Sequence, residues 1–183
     1  MKRLCLPLLL VFCLLLSGCG AGASRKQYEQ FSQELSSQSS LSFTAQLRAE
    51  YEDKTAEFTL CYERDEDGQT VTVLAPELIA GVKAHISAGN TALEYDGVRL
   101  DTGELDSYGL TPMSALPVLV DAMLNGHLDS RWQEDGKSVY QLISNDHLSV
   151  SVWFETESMT PVRAELASDG RVTVCCEISD WKY

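Results

Sequence analysis

From Leu41 the chain alternates strictly. Leu41, Phe43, Ala45, Leu47, Ala49 and Tyr51 are separated by Ser42, Thr44, Gln46, Arg48 and Glu50. A period of two puts one set on each face of an extended segment, which predicts a long strand with one side buried. After Asp53-Lys54 the phase resumes on even numbers with Ala56, Phe58, Leu60 and Tyr62. Val71, Val73 and Ala75 make a third run, ended by Pro76 to Gly81, because proline cannot donate to a ladder. Val82, Ala84, Ile86 and Ala88 form a fourth run, closed by Gly89-Asn90. Leu93 with Tyr95 forms a fifth, and Val98 with Leu100 a sixth. Beyond residue 125 four more runs follow. They are Tyr140 and Leu142; Leu148, Val150, Val152 and Phe154; Val162, Ala164 and Leu166; and Val172, Val174, Cys176 and Ile178.

Asp67-Gly68, Asp96-Gly97, Asp135-Gly136 and Asp169-Gly170 stand between such runs. Asp-Gly accepts the positive φ angles of tight hairpins, so neighbouring strands are expected to be antiparallel and sequential.

Two segments break the period of two. Ser24-Arg25-Lys26-Gln27 has the S-x-x-Q form of a capping box, and Tyr28, Phe31 and Leu35 follow at helical spacing before the serine-rich stretch Ser36 to Ser40. This predicts a helix with a narrow apolar stripe that packs on the body of the domain. Thr111-Pro112 opens a second helix, running through Met113, Ala115, Leu116, Val118, Leu119, Val120, Ala122, Met123 and Leu124 to Asn125-Gly126. Only Ser114, Asp121 and Asn125 make a thin polar stripe on it, so it must be deeply covered. Pro117 is tolerated if the helix starts near Ser114 and would kink it if the helix starts at Pro112. The fold class expected is α+β, mainly β: a curled antiparallel meander, a half-closed barrel, with an N-terminal helix and one apolar helix on the concave side. Many inward positions are small (Ala45, Ala49, Ala56, Ala84, Ala88 and Ala164). They either leave a cavity or let the helix approach closely.

The first residues set the address. Lys2 and Arg3 precede the apolar run Leu4 to Leu16, followed by the small residues Ser17 and Gly18, the order of a secretory signal. The run is too short to span a membrane as a helix, which takes about 20 residues. Leu16-Ser17-Gly18 directly before Cys19 resembles the lipobox of bacterial lipoproteins. That resemblance implies that Cys19 is acylated, for example with palmitate, and becomes the first residue of the processed chain. Two acyl chains are what stable anchoring needs. The expected division is residues 1–18 as signal peptide, 19–23 as lipidated cysteine and tether, and 24–183 as one domain.

Charge changes the list of partners. The chain has 14 basic and 27 acidic residues, and loss of Lys2 and Arg3 leaves 12 against 27, a balance of −15. That argues against nucleic acid, whose phosphates call for Lys and Arg. It also argues against docking flat on anionic lipid by charge.

Catalytic chemistry is sparse. His85, His127 and His147 are the only histidines, and no spacing brings them together. Glu63, Asp65, Asp67 and Gly68 faintly resemble a calcium loop, but Leu74 stands where the bidentate Glu belongs. No metal, cofactor or catalytic residue is expected, and the chain reads as a non-enzyme. Cys5 and Cys13 lie in the signal segment, leaving Cys61, Cys175 and Cys176 beside the lipid-bearing Cys19. Cys61 and Cys175 are out of phase with the apolar positions of their strands and share a face. They are the candidate disulfide, against three unpaired cysteines used as small apolar residues.

The segments Ala75-Pro76-Glu77-Leu78-Ile79-Ala80-Gly81, Glu94-Tyr95-Asp96-Gly97-Val98-Arg99-Leu100 and Leu110-Thr111-Pro112, behind a lipobox and in this order of elements, resemble the LolA-like superfamily. That superfamily contains lipoprotein carriers, the anchored receptor LolB, and sporulation and germination lipoproteins of endospore-forming bacteria. The resemblance covers about residues 24–183. It implies a half-closed barrel with helices on its concave side.

The function expected is that of a lipid-anchored protein on the extracytoplasmic face of the cell membrane. It would bind a hydrophobic ligand, a lipid or acyl chain, between Phe43, Phe58, Leu60, Leu116, Leu119 and Met123. The alternative is a packed module that docks or regulates another envelope protein, such as a cell-wall enzyme in sporulation or germination; an exposed apolar patch would favour it.

Overall fold

A computed structural model describes residues 20–51, 54–87, 90–103 and 111–183 of the chain. Lys2, Arg3, the run Leu4 to Leu16 and the candidate anchor Cys19 lie outside these residues, as do Asp53, Ala88, Gly89 and Leu110. The chain divides into two compact units, residues 1–36 and 37–183.

The first unit carries α1, Gly20–Ser37. It begins earlier than the capping box at Ser24 predicts, so residues 20–23 are helical. Arg25 and Glu29 pair at i,i+4 on its surface, Nε to Oε1 3.3 Å, and Tyr28 and Phe31 hold their ring centroids 6.1 Å apart.

The second unit is an eleven-stranded antiparallel sheet with one helix. Six strands come first: β1 Leu41–Glu50, β2 Thr55–Arg64, β3 Gln69–Ala75, β4 Lys83–Ser87, β5 Asn90–Tyr95 and β6 Val98–Gly103. Glu77–Ile79 forms a 3-10 turn after β3. Then come α2 Pro112–Asn125 and five strands: β7 His127–Glu134, β8 Lys137–Asn145, β9 Leu148–Glu155, β10 Pro161–Ser168 and β11 Arg171–Lys182. The order across the sheet is β6-β5-β4-β3-β2-β1-β11-β10-β9-β8-β7. The last strand therefore lies beside the first, and the sheet stays open, with β6 and β7 as its two edges.

The alternation is realised residue by residue. In β1 Leu41, Phe43, Ala45, Leu47 and Ala49 are buried, and one cross-strand row runs Phe43, Tyr62, Val71, Ala84, Leu93, Leu100. Three of the four Asp-Gly pairs have both residues at positive φ, from 48° to 50° at Asp96, Asp135 and Asp169, the geometry of tight hairpin turns. The fourth differs. Asp65 Oδ1 accepts from the backbone N–H groups of Asp67 and Gly68, and a Cβ at Gly68 (φ 145°) would stand 2.5 Å from the carbonyl oxygen of Ile86.

Strand β7 has no counterpart in the predicted runs, which number ten. Its sequence His-Leu-Asp-Ser-Arg-Trp-Gln-Glu is almost wholly exposed, with an irregularity between Leu128 and Ser130. An edge strand of this kind is held by its backbone ladder, so it leaves no apolar period to read.

Helix α2 starts at Pro112. Thr111 caps it with a capping box: Ser114 N–H donates to Thr111 Oγ1 at 3.2 Å, and Thr111 N–H to Ser114 Oγ at 3.3 Å. Ser114 is consequently buried rather than part of an exposed polar stripe. Pro117 lies inside the helix and removes the donor that would have met the Met113 carbonyl. The helix lies against β2, β3, β8 and β10 and buries Ala115, Leu116, Leu119, Val120, Ala122 and Met123.

Candidate functional site

The six residues expected to line a ligand space can now be placed. Phe43 and Leu60 are on adjoining strands, on the sheet face in register with Tyr62 and Val71. Leu116, Leu119 and Met123 are on the buried face of α2. Leu60, Leu116 and Leu119 have 0% of their surface accessible, and Phe43 and Met123 have 1%. An accessibility of zero means that a water-sized sphere cannot touch the side chain. No ligand-sized space borders these five residues. Small residues complete the fit, since Ala45, Ala84 and Ala164 are also at 0%. The interior is close-packed, as protein interiors are. Phe43 stacks between Tyr62 and Trp181, each centroid 5.0 Å away. Burial pushes the Tyr62 phenol well above its usual range, although Arg64 pulls it down, and the hydroxyl donates to Gln69 Oε1 at 3.1 Å. Phe58 alone of the six is half-buried.

Open space is found on the opposite face. A cleft of about 570 Å³ is lined by Gln46, Arg48, Glu57, Thr59, Arg163, Cys175 and Glu177 at outward positions, with Ala75 and Pro76, and it also borders Leu47 and Phe58, the latter one of the six expected residues. The register explains its composition. Arg163, Glu177, Gln46 and Thr59 are successive cross-strand neighbours, and so are Glu165, Cys175, Arg48 and Glu57. Arg48 Nη2 reaches Glu50 Oε1 at 3.1 Å. Arg163 Nη2 meets Glu165 Oε1 at 2.5 Å, and its Nε stands 3.8 Å from Glu177 Oε1. The Arg163 guanidinium also lies 4.8 Å above the Trp153 ring, whose other neighbour is Trp132 at 6.4 Å, edge-on. The Glu57 carboxylate has no partner among the described residues.

The cysteines do not pair. Cys61, Cys175 and Cys176 are free thiols. Cys61 and Cys175 do share the outward face, but β1 lies between their strands. Cys61 sits opposite Thr44 and Cys175 opposite Arg48. Two strand spacings and four residues of rise separate them by roughly 16 Å, against the ~7 Å a disulfide tolerates. The candidate bridge is excluded by register, which phase alone does not reveal, and the alternative of three unpaired cysteines is the one observed. Burial pushes the Cys175 thiol up, joined by Glu165 and opposed by Arg48, so it stays protonated. Cys176 is fully buried and is held up in the same way.

One arrangement has no forerunner in the sequence pattern. Thr70 Oγ1 lies 3.3 Å from His85 Nδ1, and His85 Nε2 lies 3.0 Å from Glu94 Oε2. Hydroxyl, imidazole and carboxylate in line resemble a nucleophile–base–orienter chain. However, Thr70 is mid-sheet between β2 and β4, whose ladders engage the backbone groups there. Backbone N–H groups engaged in the ladders are not available to hold an oxyanion. Among the described residues no group of His, Cys, Asp and Glu is arranged to hold a metal ion. No helix of the described residues is long and apolar enough to cross a membrane.

Apolar surface is displayed at one end of the sheet. Tyr95, Val98 and Leu100 on β5 and β6 are 52%, 72% and 64% exposed, and Leu78 in the 3-10 turn is 88% exposed.

No family model matches the chain, and no curated protein matches it. Solved structures do. An uncharacterized conserved protein from Thermus thermophilus superposes with a TM-score of 0.51 at 10% identity, over 87% of this chain and 86% of that one. A LolA superfamily protein from Nitrosomonas europaea does so with a TM-score of 0.50 at 14% identity, over 84% and 92%. At such identities the likeness is one of fold, and the fold of this chain, an open antiparallel half-barrel with an apolar helix against one face, is LolA-like.

Proposed function

We propose that the chain is a non-enzymatic docking module of the cell envelope. Cys19, lipidated, holds it on the extracytoplasmic face of the membrane, and the outside of its half-barrel receives another envelope protein. One observation carries this reading. The space where a hydrophobic ligand was expected is filled by Phe43, Leu60, Leu116, Leu119 and Met123, none of them more than 1% accessible. The cleft of about 570 Å³ lies on the outer face and borders only Phe58 of the six, and exposed apolar residues lie along β5 and β6. Surfaces of that kind mark contacts with other macromolecules. The strongly acidic balance of 14 basic against 27 acidic residues further favours a partner with basic surface.

Native mass spectrometry of the full chain, released from membranes, tests it. The expected species is the polypeptide with its anchor and nothing else. A stoichiometric acyl ligand that persists in Cys19→Ser, which carries no anchor, would restore the ligand-binding reading. The same variant is expected to lose labelled palmitate and leave the membrane fraction; retention of both would remove Cys19 as the anchor.

A further inference from the structure

We infer that the outer-face cleft is a docking groove for an extended basic segment of a partner protein, with its lysine or arginine side chains set against Glu57 and Glu177. The inference rests on the docking reading above and names the partner's chemistry.

The groove crosses the two strands where the halves of the fold meet, β1 and β11, and reaches β2 and β10 on either side. Thr59, Ala75 and Cys175 are among its lining residues, together with the apolar Leu47 and Phe58. Its volume of about 570 Å³ is that of a ligand-binding cleft. Charge decides what fits. Arg48 and Arg163 lie in the groove, but Glu50 and Glu165 already face them. Arg163 is further held over Trp153 and is not free to reach outward. That leaves two carboxylates. Glu57 is unpaired among the described residues, and Glu177 touches Arg163 only at 3.8 Å, with 68% of its side chain exposed. The lining itself holds two guanidiniums and two carboxylates. With Glu50 and Glu165, which pair the arginines from outside it, two guanidiniums stand against four carboxylates, a balance of −2, in a chain whose formal net charge is −13. An anionic ligand meets neutralised arginines, whereas a cationic one meets two carboxylates and a field of the right sign. In an extended segment residues two apart point the same way, about 6.6 Å apart. By register Glu177 stands opposite Gln46 and Glu57 opposite Arg48. Two strand spacings and two residues of rise therefore put them roughly 12 Å apart, a separation spanned by basic side chains four residues apart in an extended segment, about 13 Å. Beside the groove Trp132, Val139 and Trp153 are cross-strand neighbours in line with Arg163. Trp132 is 40% exposed there, the residue type that anchors protein interfaces.

The test uses the full chain and a defined probe, acetyl-Lys-Thr-Lys-Thr-Lys-Thr-amide, with its glutamate-for-lysine counterpart as control. Titration is followed by amide chemical shifts and by calorimetry at two salt concentrations. Saturable binding of the lysine peptide alone is expected, weaker at high salt, with shifts confined to the residues around Glu57, Thr59, Cys175 and Glu177. Glu57→Gln/Glu177→Gln should weaken it about fivefold, the scale of two half-exposed ion pairs. Asp96→Asn/Asp135→Asn removes the same charge at two turns outside the groove, and Asn accepts their φ angles. It should change binding far less. Equal losses in the two double variants, or shifts scattered outside the groove, would overturn the inference. So would self-association abolished by Glu57→Gln/Glu177→Gln, which would make the occupant a second copy. None of these outcomes depends on whether lipid co-purifies, so the inference and the docking reading fail separately.

Discussion

Leu119→Ala tests the central structural claim, that the space under α2 is filled. Leu119 has no accessible surface and lies on the helix face that meets the sheet. The substitution removes three carbon atoms, worth about 0.8 kcal/mol each in transfer from water, or ~2.4 kcal/mol. A rigid site adds a cavity contribution of about 24 cal/mol per Å³ of residual void. Partial collapse of the walls brings the expected loss to roughly 3–4 kcal/mol, within the ~2.7–5 kcal/mol range of such variants. For a domain of this size that lowers Tm by about 10 °C. Urea unfolding followed by tryptophan fluorescence reads the loss directly, and an unchanged m-value keeps the comparison two-state. Leu100→Ala is the internal control. Leu100 is 64% exposed at the sheet edge, so its loss should cost under about 0.5 kcal/mol. A hollow interior predicts otherwise. Leu119 would then border open space, its truncation would cost little more than that of Leu100, and a bound acyl chain would restore what was lost. A loss below about 1.5 kcal/mol, or recovery on adding a fatty acid, would refute the packed interior. Ala164→Leu approaches the question from the other side. Ala164 is fully buried, so added volume in a filled core should cost about 1–3 kcal/mol, whereas a hollow one would accept it.

Three further outcomes follow from local geometry. Gly68→Ala should destabilise by about 1–3 kcal/mol in urea unfolding, because its φ is 145° and its Cβ would press on the Ile86 carbonyl. Gly97→Ala, at φ 76° with open space around it, should cost less, and equal costs would remove the close approach as the cause. The hydrogen bond and charge of Asp169 raise the His147 pKa above 6.5. A raised folded-state value stabilises below the unfolded pKa, and that contribution disappears as pH rises through the folded value. NMR should show the His147 midpoint above 6.5 and its return toward 6.5 in Asp169→Asn; an identical midpoint in both proteins would dissolve the pair. In a non-reducing mass map of the denatured chain, Cys61, Cys175 and Cys176 should each carry a thiol label, and in the folded chain Cys176 should label slowest because it is fully buried. A Cys61–Cys175 peptide would contradict the register of β1 with both neighbours.

Much of the fold can be read from the chain because one face of each strand is buried. Leu41, Phe43, Ala45, Leu47 and Ala49 alternate in the sequence because the sheet face they occupy excludes water, and they are the buried residues of β1. The Asp-Gly pairs announce antiparallel neighbours because few other dipeptides accept two positive φ angles in succession. Helix α2 is legible through Thr111, Pro112 and its apolar length. The misses have equally physical causes. Strand β7 is held by hydrogen bonds of its backbone, to which Ser130 and Arg131 contribute as well as any apolar residue. Residues 20–23 are glycine and alanine, so the helical period of Tyr28, Phe31 and Leu35 does not extend back to announce them.

The candidate site is less legible than the fold, and the reason lies in what alternation encodes. A period of two says which side of a strand a residue occupies. It says neither what is on the other strand at that height nor whether the buried side is full. The small residues Ala45, Ala84 and Ala164 are consistent in sequence with a cavity and with close approach, and only their shared inaccessibility separates the two. The outer groove depends on register even more. Gln46 and Glu177 are neighbours because the last strand returns beside the first, and Arg163 and Glu177 because β10 and β11 pair in one particular phase. A shift of one residue would send every one of these side chains to the other face. Side chains on the exposed face are under no pressure to be apolar, so they leave no periodic trace beyond not being buried. Yet it is there that Glu57 stands without a partner among the described residues while Arg48 and Arg163 are already occupied. A sheet can absorb its own charges across strands at little cost. One that leaves Glu57 unpaired among the described residues and Glu177 only 3.8 Å from a shared guanidinium keeps a field available to something outside the chain, and on this surface that field selects for positive charge.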